Sequence, residues 1–177
     1  MNKINDETIY FAKLKEDAII PSKNEEDGCY DVYANFETET VTIMPLEIKL
    51  ISTGISSACS PKYRFGLRER GSSGTKGLSY VAGQIDSGYR GEWFVPINNT
   101  SNKTIVITKN PEYLKEELKR ILNVDIDKFF TIYPYTKAIV QVALENVPDV
   151  KVETISIEQL KAIPSIRGNG MLGSSNK

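Results

Sequence analysis

The chain has 177 residues, 40% of them hydrophobic and 25% charged, with a net charge of -1. That length fits one domain with a real core, and the near-neutral balance argues against stable nucleic-acid binding, which draws on a basic excess. There is no histidine, which excludes Ser-His-Asp and Cys-His catalysis and His-ligated zinc. Chemistry here must run on carboxylates, Arg, Lys, Tyr, hydroxyls and hard cations such as magnesium.

The opening stretch MNKINDETIYFAKLKED is charged and lacks the apolar segment of a secretory signal. With only Cys29 and Cys59, the simplest compartment is a reduced cytosol, the alternative being one disulfide between the two. No apolar run approaches the ~18 residues of a membrane span. Period-two alternation predicts strands in TIYFAKL (8–14), TVTIMPLEIKLISTGI (40–55), KYRFGLRER (62–70) and EWFVPI (92–97). A turn cluster, NNTSNK, follows. TIVITK (104–109), FFTIYPY (129–135), AIVQVAL (138–144) and VKVETI (150–155) continue the pattern. Many short strands split by Gly, Pro, Asn and Ser predict an all-β sandwich, barrel or jelly roll.

One segment breaks the rhythm. In 111–129, Leu114, Leu118, Ile121 and Leu122 recur at helical spacing, with Pro111 at the first helical position after Asn110 as N-cap. This predicts a helix at about 111–123 inside an insertion, 111–128. Its apolar stripe packs on the β domain, or offers a docking surface to a protein partner. The tail, SIRGNGMLGSSNK, has no periodicity and reads as a flexible arm. Its Arg, Gly and Ser residues suit gripping a phosphate, because glycine lets backbone N–H groups converge on an anion.

Polar groups collect at five places. Asp27 and Asp31 lie in DGCYDVYA. Arg70, Gly71, Ser72, Ser73 and Lys76 lie in RERGSSGTKG, a loop of small residues, hydroxyls and cations without the P-loop spacing. Asp86, Tyr89 and Arg90 lie in AGQIDSGYRGEW, Gln141 in KAIVQ, and Arg167 with Ser174 in the tail.

These five stretches, in this order, resemble the five motifs of the trimeric dUTPases. The third, GQIDSGYRGEW, is the most specific. The resemblance implies a dUTPase-like jelly-roll subunit over 1–163, an arm over 164–177, a homotrimer with shared sites, and magnesium-dependent hydrolysis of dUTP to dUMP and pyrophosphate. It implies that Asp86 orients or deprotonates the attacking water and holds the 3′-hydroxyl. Tyr89 would lie under the deoxyribose and exclude UTP, and Gly83 and Ile85 would belong to the hairpin whose backbone reads uracil. Arg70, Gly71, one of Ser72 and Ser73, and Gln141 would hold phosphates. Arg167, with Leu172, Gly173 and Ser174, would close over the site, and Asp31 would meet magnesium through water.

The sequence departs from the family at several points. Gly28-Cys29 stands where Ala-Gly is usual, Tyr80 where Asn often helps bind uracil, Lys137-Ala138 where an acid-Arg pair is usual, and Leu172 where an aromatic covers the base. The related dCTP deaminases place a catalytic Glu seven residues past the aromatic; here that position is Pro96, which cannot do acid–base chemistry. The remaining alternative is a regulatory protein on the same scaffold, acting through 111–128.

Overall fold

The computed structural model describes residues 4–166 and 168, which fall into two compact units, Met1–Val147 and Pro148–Lys177. The first is the expected all-β fold. Its strands are β1 (Tyr10–Lys13), β2 (Tyr30–Val32), β3 (Thr40–Ile43), β4 (Ile48–Ser52), β5 (Ile55–Ala58), β6 (Tyr63–Arg68), β7 (Leu78–Tyr80), β8 (Gln84–Asp86), β9 (Phe94–Asn99), β10 (Thr104–Thr108), β11 (Phe130–Pro134) and β12 (Val140–Asn146). They form four small sheets, ordered β1-β5, β11-β10-β3, β2-β12-β6-β8 and β4-β9-β7. The core lies where the alternation predicts it: Phe65, Leu67, Val95, Ile97, Ile105, Ile107, Val140 and Val142 are all buried. Phe11, Phe65 and Trp93 pack edge to face or tilted, with ring centroids 5.1–5.6 Å apart.

Strands β10 and β11 pair in parallel, unlike the other strand pairs of the described sheets. A parallel pair needs a long crossover, and the predicted helix supplies it. Helix α2 spans Pro111–Leu122, with Pro111 at its first position and Asn123 ending it in the left-handed region at φ 50°. Asn110 stands at the N-cap, but its side chain makes no cap bond; its amide donates to Glu39 Oε2 at 2.9 Å. Leu114 and Leu118 are half-buried, and α2 contacts β11 and the 3-10 turn Ile126–Lys128, where Ile126 is buried. The packed reading of the stripe therefore holds for those two leucines and not for its C-terminal half, where Ile121 and Leu122 are exposed.

Three short elements depart from the expected pattern. Residues 71–74 wind into a single helical turn, α1 (Gly71–Gly74), with Gly74 N–H donating to the Arg70 carbonyl at 2.7 Å. Strands β2 and β7 appear where no strand was predicted. Conversely, the strand predicted at 150–155 is irregular: alternation alone does not make a strand that has no partner to bond. The second unit instead carries α3 (Ile157–Ala162), begun by a capping box between Ser156 and Gln159.

Candidate active site

The sheet β2-β12-β6-β8 positions most of the polar candidates. Directly opposed residues share a face of an antiparallel pair, and the register opposes Asp31 to Gln141, Gln141 to Arg68, Glu145 to Arg64, and Arg64 to Asp86. All six therefore stand on one face, while Phe65, Leu67, Val140 and Val142 fill the other. Glu145 is tied to both arginines, with Arg64 Nε at 2.9 Å from its Oε2 and Arg68 on its Oε1. The Arg64 hydrogen bond, then the charge of Arg68, holds the Glu145 carboxyl below its ordinary value.

At one end of this face lies a polar cavity of about 660 Å³, lined by Asp27, Gly28, Cys29, Asp31, Arg70, Gly71, Ser72 and Gln141, with Ser22, Lys23, Asn24 and Tyr33. Arg70 makes a forked pair with Asp31, Nε–Oδ1 2.8 Å and Nη2–Oδ2 3.0 Å. Its Nη1 donates to the Ala138 carbonyl and to Ser72 Oγ at 3.3 and 3.2 Å. Of the two candidate serines, Ser72 lines the cavity. Ser73 is fully buried, and its hydroxyl donates to the Ile139 carbonyl at 3.1 Å. Gln141 Nε2 donates to the Glu69 carbonyl at 2.9 Å. Cys29 and Cys59 are free thiols, and burial pushes the Cys59 thiol up.

The second group of candidates lies elsewhere on the same chain. A cavity of about 230 Å³ is lined by Ala82, Gln84, Ile85, Asp86, Tyr89, Glu92, Trp93 and Phe94. Asp86 and Tyr89 are both exposed. Asp86 lies four residues along and two strands across from Gln141, a separation of ~16 Å at ordinary strand spacings. The candidates thus form two half-sites, one rich in phosphate-binding groups and one carrying the carboxylate and the ring.

Strand β8 ends its sheet, so its outer edge is open within that sheet. The Gly83 carbonyl accepts from Leu67 N–H at 2.7 Å. The same alternation turns the backbone groups of Ile85 toward β6 and those of Gln84 toward the open edge. The ring of Tyr80 lies across Gly83, where a Cβ would come within 2.2 Å of Tyr80 Cε2. Arg90 turns back into the fold, donating to the carbonyls of Ser57, Ser87 and Tyr89 at 3.2, 2.6 and 3.0 Å. It braces the turn and does not line the cavity. Arg167, Leu172, Gly173 and Ser174 lie outside the described residues.

Sequence reasoning missed Glu92, Glu145, Arg64 and Lys23. Only Glu92 carried a signal, as an acid inside the third motif, GQIDSGYRGEW; the others show their relevance through strand register or loop position.

A family model described as dUTPase matches residues 15–112. The chain is 33% identical to the deoxyuridine 5'-triphosphate nucleotidohydrolase of Crocosphaera subtropica over 124 residues, which are 68% of this chain and 85% of that protein. It is 30% identical to the protein of the same name from Leptospira interrogans over 103 residues, 56% of this chain and 70% of that one. Among solved structures, the Staphylococcus bacteriophage 80alpha dUTPase with dUPNHPP matches with a TM-score of 0.69 at 20% identity, covering 97% of this chain and 99% of that one. A mutant dUTPase from phage phi11 of S. aureus, described as coordinating a structural Mg(II) ion, matches at 0.60 and 19% identity, covering 84% and 96%.

Proposed function

The chain belongs to the dUTPase family, and we propose that it hydrolyses dUTP to dUMP and pyrophosphate, keeping dUTP low and supplying dUMP for thymidylate synthesis. The observation that carries this reading is the pair of half-sites: a cationic, hydroxyl-bearing cavity around Arg70 and Ser72, and an exposed carboxylate and ring at Asp86 and Tyr89. A nucleoside triphosphate needs both.

In this reading Asp86 accepts a proton from the attacking water, while the α–β phosphoanhydride bond breaks and pyrophosphate leaves. Tyr89 lies under the deoxyribose and leaves no room for a 2′-hydroxyl. The open edge of β8, between Gly83 and Asp86, reads the base, and Tyr80 backs it through Gly83. Arg70, the backbone of Gly71, Ser72 and Gln141 bind phosphate oxygens. The family resemblance assigns Arg167 to the phosphates and Leu172, Gly173 and Ser174 to closing the site, as parts of an arm over 164–177.

Magnesium is the implied metal ion. Asp31 spends both carboxylate oxygens on Arg70, and among the described residues no three Asp, Glu or Cys side chains cluster. This donor set fits an ion carried mainly by triphosphate oxygens and water, with Asp31 reached through water. When bound, the ion neutralises charge on the triphosphate and the departing pyrophosphate.

We assign the working form as a homotrimer in which neighbouring chains contribute different half-sites. Two features support it. The half-sites lie too far apart on one chain to share a nucleotide's reacting bond. The outer face of β4-β9-β7 also exposes Ile48, Leu50 and Phe94 beside Pro96, an apolar surface that assembly would cover. The free thiols fit a cytoplasmic protein, and no helix among the described residues is long and apolar enough to cross a membrane.

The test is pyrophosphate release with magnesium from dUTP, UTP, dCTP and dTTP, with Asp86→Asn as control. Release from dUTP alone, lost in the variant, is expected. No release from dUTP by a well-folded protein refutes the reading.

A further inference from the structure

Tyr89 sits on an exposed turn, yet a ring that discriminates sugars must be held still. Its hydroxyl donates to the Glu92 carbonyl at 3.0 Å. Gly91 makes that reach possible: a Cβ there would lie 2.4 Å from the Tyr89 hydroxyl oxygen. The position of the ring therefore depends on where residue 92 stands.

Residue 92 is itself anchored. Its half-buried carboxylate turns away from solvent to the link between β4 and β5. There Oε1 accepts the Ser52 hydroxyl and the Gly54 backbone N–H, the latter at 2.9 Å. Trp93, next in the chain, donates from N–H to the Ile55 carbonyl at 2.9 Å. The strand thus leaves the core at Trp93, and beyond it the turn that carries the ring is held at two points. One is Glu92; the other is Arg90, whose carbonyl accepts the Ser56 hydroxyl at 2.8 Å and whose Nη1 donates to the Ser57 carbonyl at 3.2 Å. Of the two, Glu92 alone also bonds the ring hydroxyl.

We propose that Glu92 is a positioning residue for sugar selection: its carboxylate pins the turn, its carbonyl holds the Tyr89 hydroxyl, and together they keep the ring where a ribose 2′-hydroxyl would collide. The inference rests on the dUTP-hydrolysing reading above. Glu92 touches no phosphate-binding group and takes no proton in the reaction. Its loss therefore acts on discrimination more than on the bond-breaking step.

One oxygen, Oε1, accepts both anchoring bonds. An amide retains such an oxygen, so Glu92→Gln should behave as wild type. Glu92→Ala should lower the ratio of kcat/KM for dUTP over UTP by about 10-fold or more, through better use of UTP. Calorimetric binding of the non-hydrolysable imido analogues of dUTP and UTP should show the same loss. In a Tyr89→Phe background, Glu92→Ala should add little, because the hydroxyl bond is already gone. Ser52→Ala removes one anchor with less disturbance and should shift the ratio in the same direction, which keeps the test open should Glu92→Ala misfold. An unchanged ratio in a folded Glu92→Ala, or in Ser52→Ala where Glu92→Ala fails to fold, overturns the inference while wild-type dUTP hydrolysis stands. So does an equal fall with both substrates. A wild-type chain without dUTP hydrolysis overturns the functional reading and this inference with it.

Discussion

Two half-sites ~16 Å apart on one sheet face make a sharp prediction for mixed assemblies. Take two inactive parents, Asp86→Asn and Arg70→Ala. The first loses the carboxylate, which costs about 100-fold or more. The second loses the phosphate-facing guanidinium, which costs about 100- to 1000-fold. Refold them together in equal amounts. In a cyclic trimer each site is made by one ordered pair of neighbours, so an intact pair, Asp86 from one chain and Arg70 from the next, occurs about one time in four. The mixture should recover about a quarter of wild-type pyrophosphate release. Native mass spectrometry would verify that mixed trimers formed. Arg70→Ala also strips Asp31 of its forked partner, so its melting temperature must be checked; Arg70→Lys, which keeps charge but not the fork, serves as a milder parent. Activity no greater than the sum of the parents, in proven mixed trimers, refutes a site shared between chains.

Other consequences follow from particular residues. Leu46 is 80% exposed and holds φ 64° at the third position of a turn closed by Glu47 N–H to the Met44 carbonyl at 3.0 Å. Leu46→Gly should raise stability by ~0.5 kcal/mol, strain relief of ~1 kcal/mol less the added freedom of the unfolded chain, seen as a higher urea midpoint. Glu145 is held below its ordinary value of 4.5, so its contribution is present above that pH and lost as pH falls through the lowered value. Glu145→Gln should therefore melt lower than wild type at neutral pH, with the gap closing on acidification below 4.5. Leu50 is 61% exposed on the outer face of β4. With ~1–2 kcal/mol of burial still to be gained there, Leu50→Glu should dissociate the assembly in the ultracentrifuge and abolish activity with it.

The strands that sequence reading located best are those whose alternation runs long enough to be distinctive, such as β6 and β12. Strands β2 and β7 have three residues each, too few for a period to declare itself. Helix α1 consists of Gly and Ser, poor helix formers, and is held by tertiary bonds such as Ser73 Oγ to the Ile139 carbonyl. For the same reason Ser72 and Ser73 look alike in sequence, although one lines the cavity and the other is buried. The parallel pairing of β10 with β11 is also invisible locally, because a helix between two strands fixes no strand direction. Glu145 shows its role only through register, since its partners Arg64 and Arg68 lie on another strand.

Register also explains why the site and the core cannot vary independently. On β6, Phe65 and Leu67 are buried while Arg64 and Arg68 face the polar side. On β12, Val140 and Val142 are buried while Gln141 and Glu145 face the same polar side. A slip of one residue between these strands would turn one apolar set out and drive either the two arginines of β6 or Gln141 and Glu145 of β12 into a dry interior. Packing energy that has no direct part in chemistry therefore fixes which groups oppose Asp86 and Asp31 across the sheet. A core substitution that loosened the β6–β12 pairing, such as Phe65→Ala, would disturb both half-sites at once. A surface change on α2, packed beside β11, would leave both untouched.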